Sequence, residues 1–455
     1  MKAVDPEHSN RFAAQVAEKL GADESIVISA VANERMASFA NSSVAVTKNV
    51  NETSQMVYIA KGGRRIIGSS SNPQRESLER FITLLYKSML TLPKDPGYVP
   101  LPSKSRTFAG RPRYDRKLES AETLIADSVD EAIRAAESAG ASRAAGSLET
   151  GVTTHYIATS SGTVGRDTSS KVLLNVRAFT EKDASGHGLS CSANVGGFRP
   201  AKAGARAGRD SKRMRDARQL KDDASTYQVL MSPAVASNLL SLVGGFASAF
   251  SIEAGTSYLV GKLGKKVASE GLELTDMGTG EGCLEGRTFD DEGQPTQSTK
   301  VIERGVLASY LHNLSTAKRF RTRSTGNAGL IEPAPWNLEV GAGDSGYEEM
   351  VKEMKRGLVL TSNWYTRFKN YRTGEFSTVP RDGTYLVENG EVKAPIKGIR
   401  VGDSLERMFS SIRLMSKERE WVQWWEVDTP TLCPWVLVDG VTVTKAYGQR
   451  PQVEG

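Results

Sequence analysis

The stretch that most constrains this chain is Met231–Val243, MSPAVASNLLSLV, close to its middle. It reads as the N-terminus of a buried helix that opens a new domain. Ser232 is a good N-cap, Pro233 suits the first helical position, and Leu239, Leu240 and Val243 make an apolar stripe. The material before it is helix and strand in alternation, and the material after it is rich in short strands, Gly, Thr and Asn. The expected fold is therefore α+β. Residues 1–225 form an N-terminal α/β domain with a mixed sheet and flanking helices, and residues 226–455 a β-rich C-terminal domain with long connections. The helix itself carries no catalytic chemistry.

Composition narrows the function classes. With 39% apolar and 25% charged residues the chain is an ordinary globular one. It has no apolar run of about 18 residues, so no membrane span is expected, and the first residues lack the apolar core of a secretory leader. Cys191, Cys283 and Cys433 are widely spaced, which suits a reducing cytoplasm rather than a disulfide framework. A net charge of +6 is mild for this length; it permits a nucleic-acid partner but does not argue for one, and such a partner is not expected.

Along the chain, helical spacing is expected over 7–20, about 72–90 and 118–139. Strands are expected over 25–31, 42–50 and 55–70, with Gly62-Gly63 as a hairpin turn. From Ser142 to about Val195 the alternation predicts an antiparallel meander with one wet face. The basic segment 199–221 reads as a solvated helix whose charges pair locally, in preference to a phosphate-binding helix, because no aromatics interleave with them. A helix is expected over 402–415, and a strand pair over WVLVDGVTVTKAY.

Candidate chemistry is sparse. His187 and Cys191 stand four apart but lack third and fourth ligands for zinc. His155 and His312 read as structural. The glycines of MGTGEGCLEG have no helix behind them to bind phosphate, so turn geometry accounts for them. The carboxylates of FDDEGQPT (289–296) read as a tight surface turn rather than an acid–base pair.

Several ordered stretches resemble the TldD/PmbA family, metallopeptidase-related proteins once called modulators of DNA gyrase. They include SPAVASNLLS (232–241), SYLVGKLGKKV (257–267), FDDEGQPTQ (289–297), IERGVLASYLHNLSTA (302–317), STGNA (324–328), PWNLEV (335–340), RTGEFS (372–377), VENGEVKAPIKG (387–398) and TLCPWVLVDGVTV (431–443). In that family one type of subunit carries a HExxxH helix and a cysteine that together bind zinc. Laid on this chain, the motif puts Ser232 and Ser237 at the histidine positions and Pro233 at the glutamate. The family's ligand cysteine is placed before the Trp run, which leaves Cys433 as a core thiol. The chain thus resembles the PmbA subunit, also called TldE, which lacks the motif.

The resemblance implies a metal-free, non-catalytic subunit of a cytoplasmic complex that degrades or processes unfolded peptides. It implies a TldD-type metallopeptidase subunit as partner, with zinc in that partner and no cofactor in this chain; self-association of the isolated chain is left open. Asp290, Asp291, Glu292 and Gly293, with Ser324, Thr325, Gly326 and Asn327, are the candidates for lining a peptide cavity. Two competing readings are an independent hydrolase built on His187 and Cys191 or on the Asp290 carboxylates, and a DNA- or gyrase-associated regulator using the basic segment.

Overall fold

The computed structural model describes residues 5–110, 114–181, 184–222 and 224–446. The residues cited for a missing leader core at 1–4, and Tyr447 at the end of the expected terminal strand, fall outside that range. Helices and sheets combine as α+β, around two sheets of seven and thirteen strands.

The first sheet is built from long strands, Glu24–Ala40, Ser43–Lys61, Arg143–Thr159 and Val164–Glu181. These pair antiparallel in register, Ala37 opposite Leu148 and Leu148 opposite Leu174, so a column of apolar side chains faces one side. Among the described residues only Thr107–Ala109 runs parallel, which makes the sheet mixed. Helices cover the apolar face. Pro6–Lys19 and Arg75–Leu90 bury Ala13, Ala17, Leu78 and Ile82 against Val27, Val57 and Ile59. Further along, Glu122–Ser138 and Pro200–Arg213 cover Ala37, Phe39, Leu148 and Val176. The opposite face carries Glu34, Glu149, Gly151 and Lys171 and is wet, as the alternation predicts. The Gly62-Gly63 hairpin turn is present, with φ of +58° and +77°.

The helix Pro200–Arg213 departs from expectation. It is no solvated helix: Ala203, Gly204, Ala207, Gly208 and Ser211 are buried. Gly204 and Gly208 lie on the backbone of Ala132 and Ala136, and Gly186 and Gly188 of strand Ala184–Ser192 lie on that of Ala207 and Ala203. A helix is thus clamped between a helix and a strand at distances only glycine permits. Its charges do not pair locally either, since Lys202 and Arg206 both bond Glu420 of the second sheet at 2.8–2.9 Å. Local spacing could not show this, because the acid lies far along the chain.

The second sheet is organised on the strand Val427–Lys445, which pairs with Leu338–Val340, Ala224–Met231, Ile399–Ser404 and Ile412–Trp424. Two further expectations are corrected here. The terminal segment is one strand with a bulge at Asp439-Gly440, where the register slips between Val438 and Val441 and Gly440 adopts φ +68°. The helix expected over 402–415 is only Leu405–Ser410, capped by Ser404, with strand on both sides.

The helix Pro233–Phe246 lies inside this second core. Leu239, Leu240 and Val243 pack with Val229, Met231, Val436 and Val438. Almost every residue along it is buried, the signature of a helix surrounded rather than laid on a surface.

Candidate functional site

Ser232 caps this helix by accepting from Val235 N (3.4 Å) and donating to Thr361 O (2.8 Å), and Pro233 takes the first helical position. One turn on, Ser237 Oγ is buried and makes no hydrogen bond of ordinary geometry. The thiol of Cys433, on the Val427–Lys445 strand, lies beside it. Cys433 is a core thiol, as read from the sequence, but the fold brings it directly to the Ser237 position. Burial pushes that thiol up to about 12, against a small opposing effect of the Ser237 hydroxyl. It is therefore a protonated thiol at neutral pH, and thiolate is the form that binds metal. Two hydroxyls, a proline and a neutral thiol do not fit zinc. Among the described residues no three His, Cys, Asp or Glu side chains cluster as a metal site.

The next helix residue anchors a polar network. Asn238 Oδ1 accepts from Asn363 Nδ2 (2.8 Å) and Thr366 Oγ1 (2.5 Å), while its Nδ2 donates to Glu426 O (2.6 Å). The buried amide thereby fixes the Trp-bearing turn that follows strand Ile412–Trp424.

His187 and Cys191 are not a ligand pair. The His187 ring bonds Ser362 Oγ and Asn175 Oδ1 at 3.0 Å each and lies against Trp424. Burial pulls it down to about 4, so it is neutral. The Cys191 thiol donates to Gln423 O, and burial pushes it up to about 12.

The segment Asp290–Gly293 is a tight turn, yet a buried one. Asp290 accepts from the backbone N–H of Glu292 (3.0 Å), Gln294 (2.8 Å) and Ala328 (3.1 Å), and Glu292 accepts from Leu314 N. Asp291 pairs with Arg287. In the second loop, Thr325 Oγ1 accepts from His312 N, the Gly326 carbonyl accepts from Trp336 Nε1 (2.9 Å), and Asn327 Nδ2 donates to Asp276 (2.5 Å). Ser324 Oγ donates to His312 O at 3.2 Å.

Those contacts support a trough on the wet face of the first sheet. Three adjoining depressions of about 170, 320 and 370 Å³ share Lys171 as a common wall. One end carries His155, Arg287 and Trp336, and the other Asn175, Gln423, Trp424 and Trp425. Burial, with a lesser effect of Arg287, holds His155 down to about 3, so it is neutral in the trough. None of the eight candidate residues lines these depressions; two touch residues that do, Asp291 by pairing with Arg287 and Gly326 by accepting from Trp336. The trough residues themselves escaped the sequence reading. Glu34, Glu149, Gly151 and Lys171 come from three strands and meet only through register. The one signal was their alternation on the polar face.

Comparison with known proteins gives these features a family. Residues 224–445 match the PmbA/TldA metallopeptidase C-terminal domain, and residues 112–215 the central domain of the same proteins. A metalloprotease of Methanocaldococcus jannaschii is 30% identical over 204 residues, 43% of this chain and 44% of that protein. Metalloprotease PmbA of Escherichia coli O157:H7 is 27% identical over 192 residues, 42% of this chain and 41% of its own. The matched stretch spans less than half the length of these curated relatives. TldE from Thermococcus kodakarensis shares the fold, with a TM-score of 0.84 at 17% identity over 96% of this chain and 100% of that one. On these matches this chain belongs to the PmbA/TldD family.

Proposed function

We propose that this chain is the metal-free, non-catalytic TldE/PmbA-like subunit of a cytoplasmic metallopeptidase complex that processes unfolded peptides. Its partner in this reading is a TldD-type subunit, which supplies the zinc. The observation that carries the reading is the capped helix with Ser232, Pro233 and Ser237 along it and the neutral thiol of Cys433 alongside. No group there can activate water: proline has no basic atom, and a thiol held near 12 is not a base at neutral pH. What this chain supplies is surface. An extended peptide lying along the trough meets neutral His155 at one end, Trp424 and Trp425 at the other, and the Lys171 ammonium between. The loops 290–293 and 324–327 serve that surface by fixing Arg287 and Trp336.

The test is direct. The purified chain alone should hold well below one zinc per chain by atomic emission and leave an unfolded casein substrate intact. Mixed with a TldD-type chain bearing HExxxH, it should co-elute and support cleavage. Stoichiometric zinc with hydrolysis by the isolated chain would sink the reading.

A further inference from the structure

The strand Ser43–Lys61 has a long free edge. Its inner neighbour, Glu24–Ala40, pairs with it along its whole length, but its outer neighbour, Arg64–Ser70, reaches only as far as the Gln55–Ser70 pair. Among the described residues nothing pairs with the outer side of residues 43–54. Every side chain from Ser43 to Glu52 is exposed, whichever face it is on. On the trough face stand Val46 and Val50, at 48% and 42% exposure, while a bulge puts Val44 opposite Phe39 on the helix-covered side. Natural sheets blunt such edges with proline, short length, bulges or several lysines. This one is long, has no proline and carries a single lysine, and its one bulge, at Ala45, lies outside residues 46–54.

Its two charges are placed to read each other. Lys48 and Glu52 lie on the same face, and neither has an ion-pair partner among the described residues. Consider the edge laid antiparallel on a copy of itself about a two-fold axis through Val50, perpendicular to the sheet. Each residue i then meets residue 100 − i. Lys48 faces the other copy's Glu52, twice over, and Val50 faces Val50. A shift of the axis to residue 48 opposes two lysines, and a shift to residue 52 opposes two glutamates. Charge complementarity thus selects one register, over residues 46–54.

We propose that this edge is a docking surface for a second copy of this chain, joined by antiparallel strand pairing centred on Val50. A perpendicular two-fold keeps faces on the same side, so the two sheets become one and both troughs open in the same direction. The contact is independent of the partner-subunit reading, since it uses neither the Pro233–Phe246 helix nor any metal.

The experiment is sedimentation equilibrium of the full purified chain and of three surface variants, with thermal midpoints measured to verify the fold. The chain should show a concentration-dependent monomer–dimer equilibrium. Lys48→Glu and Glu52→Lys should each weaken it about tenfold, because every single change turns two attractive pairs into two repulsive ones. The double variant Lys48→Glu/Glu52→Lys should return to within about threefold of the parent, since each opposed pair again has opposite signs. A chain that stays monomeric, a dimer indifferent to the single changes, or a double variant no tighter than the singles would each overturn the proposal.

Discussion

Gly204→Val is expected to unfold the helix-covered half of the molecule, with a loss of at least about 3 kcal/mol, the upper range for overpacking a tight core. A Cβ at Gly204 would stand 2.0 Å from the carbonyl oxygen of Ala132, and one at Gly188 would stand 2.0 Å from that of Ala203. Both obstacles are backbone, so no side-chain rotation relieves them. The helix Pro200–Arg213 would have to lift from its neighbour, uncovering Ala203 and Ala207 and pulling Arg206 from Glu420. Gly245 provides the control. It lies in the Pro233–Phe246 helix with nothing within 4 Å of its would-be Cβ, so Gly245→Ala should gain up to about 1 kcal/mol from helix propensity. Urea midpoints of the two variants should move in opposite directions. An unchanged midpoint for Gly204→Val would show that the clamp is looser than its geometry.

Asp276 governs the second large effect. Its carboxyl is fully buried, accepting from Trp336 N (2.7 Å) and Asn327 Nδ2 (2.5 Å). Burial pushes it up to about 7 from an ordinary 3.8, against the hydrogen bonds that favour its charge. The sign follows from that direction. Below about pH 4 the folded and unfolded states both hold the neutral acid, and the folded state pays no penalty. As pH rises, the unfolded carboxyl ionises first, and stability drains away until the folded group ionises near 7. Above that, a buried carboxylate persists. Asp276→Asn removes this dependence, so its stability relative to the parent should rise by about 3 kcal/mol between pH 5 and pH 8. The depressed histidines act in the opposite direction in the parent, but they are common to both proteins and cancel in the difference. Glu420 cancels too: burial raises it, yet Arg206 and Lys202 outweigh that and bring it to about 2, below the window. Chemical denaturation at the two pH values measures the gap, and a gap that does not change with pH would contradict it.

These features differ in how much the sequence disclosed. The Pro233–Phe246 helix was legible because its signals are local: a cap, a proline and a stripe within a few residues. The absence of histidine and glutamate from it was equally plain. The strands Glu24–Ala40 and Ser43–Lys61 were read as shorter pieces. The outer half of Ser43–Lys61 is exposed on both faces, valines included, so no buried face marks it as a continuation of the inner half. Gly186 and Gly188 stand plainly in the sequence, but their purpose depends on the carbonyls of Ala207 and Ala203, which only packing supplies. The turn at Asp290 was recognised as a turn, whereas its burial was not, because three backbone N–H groups replace the water a carboxylate would otherwise need. Cys433 shows the limit most clearly. Its place beside Ser237 is set by how the Val427–Lys445 strand crosses the helix, and no spacing along the chain encodes a crossing.

The links between the two sheets bear on how the molecule can be dissected. Arg177 grips the fully buried Asp382 through Nε and Nη2 at 3.0 and 2.8 Å, and Asp210 accepts from the Tyr385 hydroxyl at 2.7 Å. Phe289 inserts among Ile26, Ile28, Tyr58 and Ile157. A gene cut between residues 215 and 224 would leave one fragment with the orphaned Arg177 guanidinium and Asp210 carboxylate, and the other with the bare Asp382 carboxylate and an uncovered aromatic ring. Expressed separately, the two pieces should aggregate; expressed together in one cell, they should find each other and be recovered as a soluble pair.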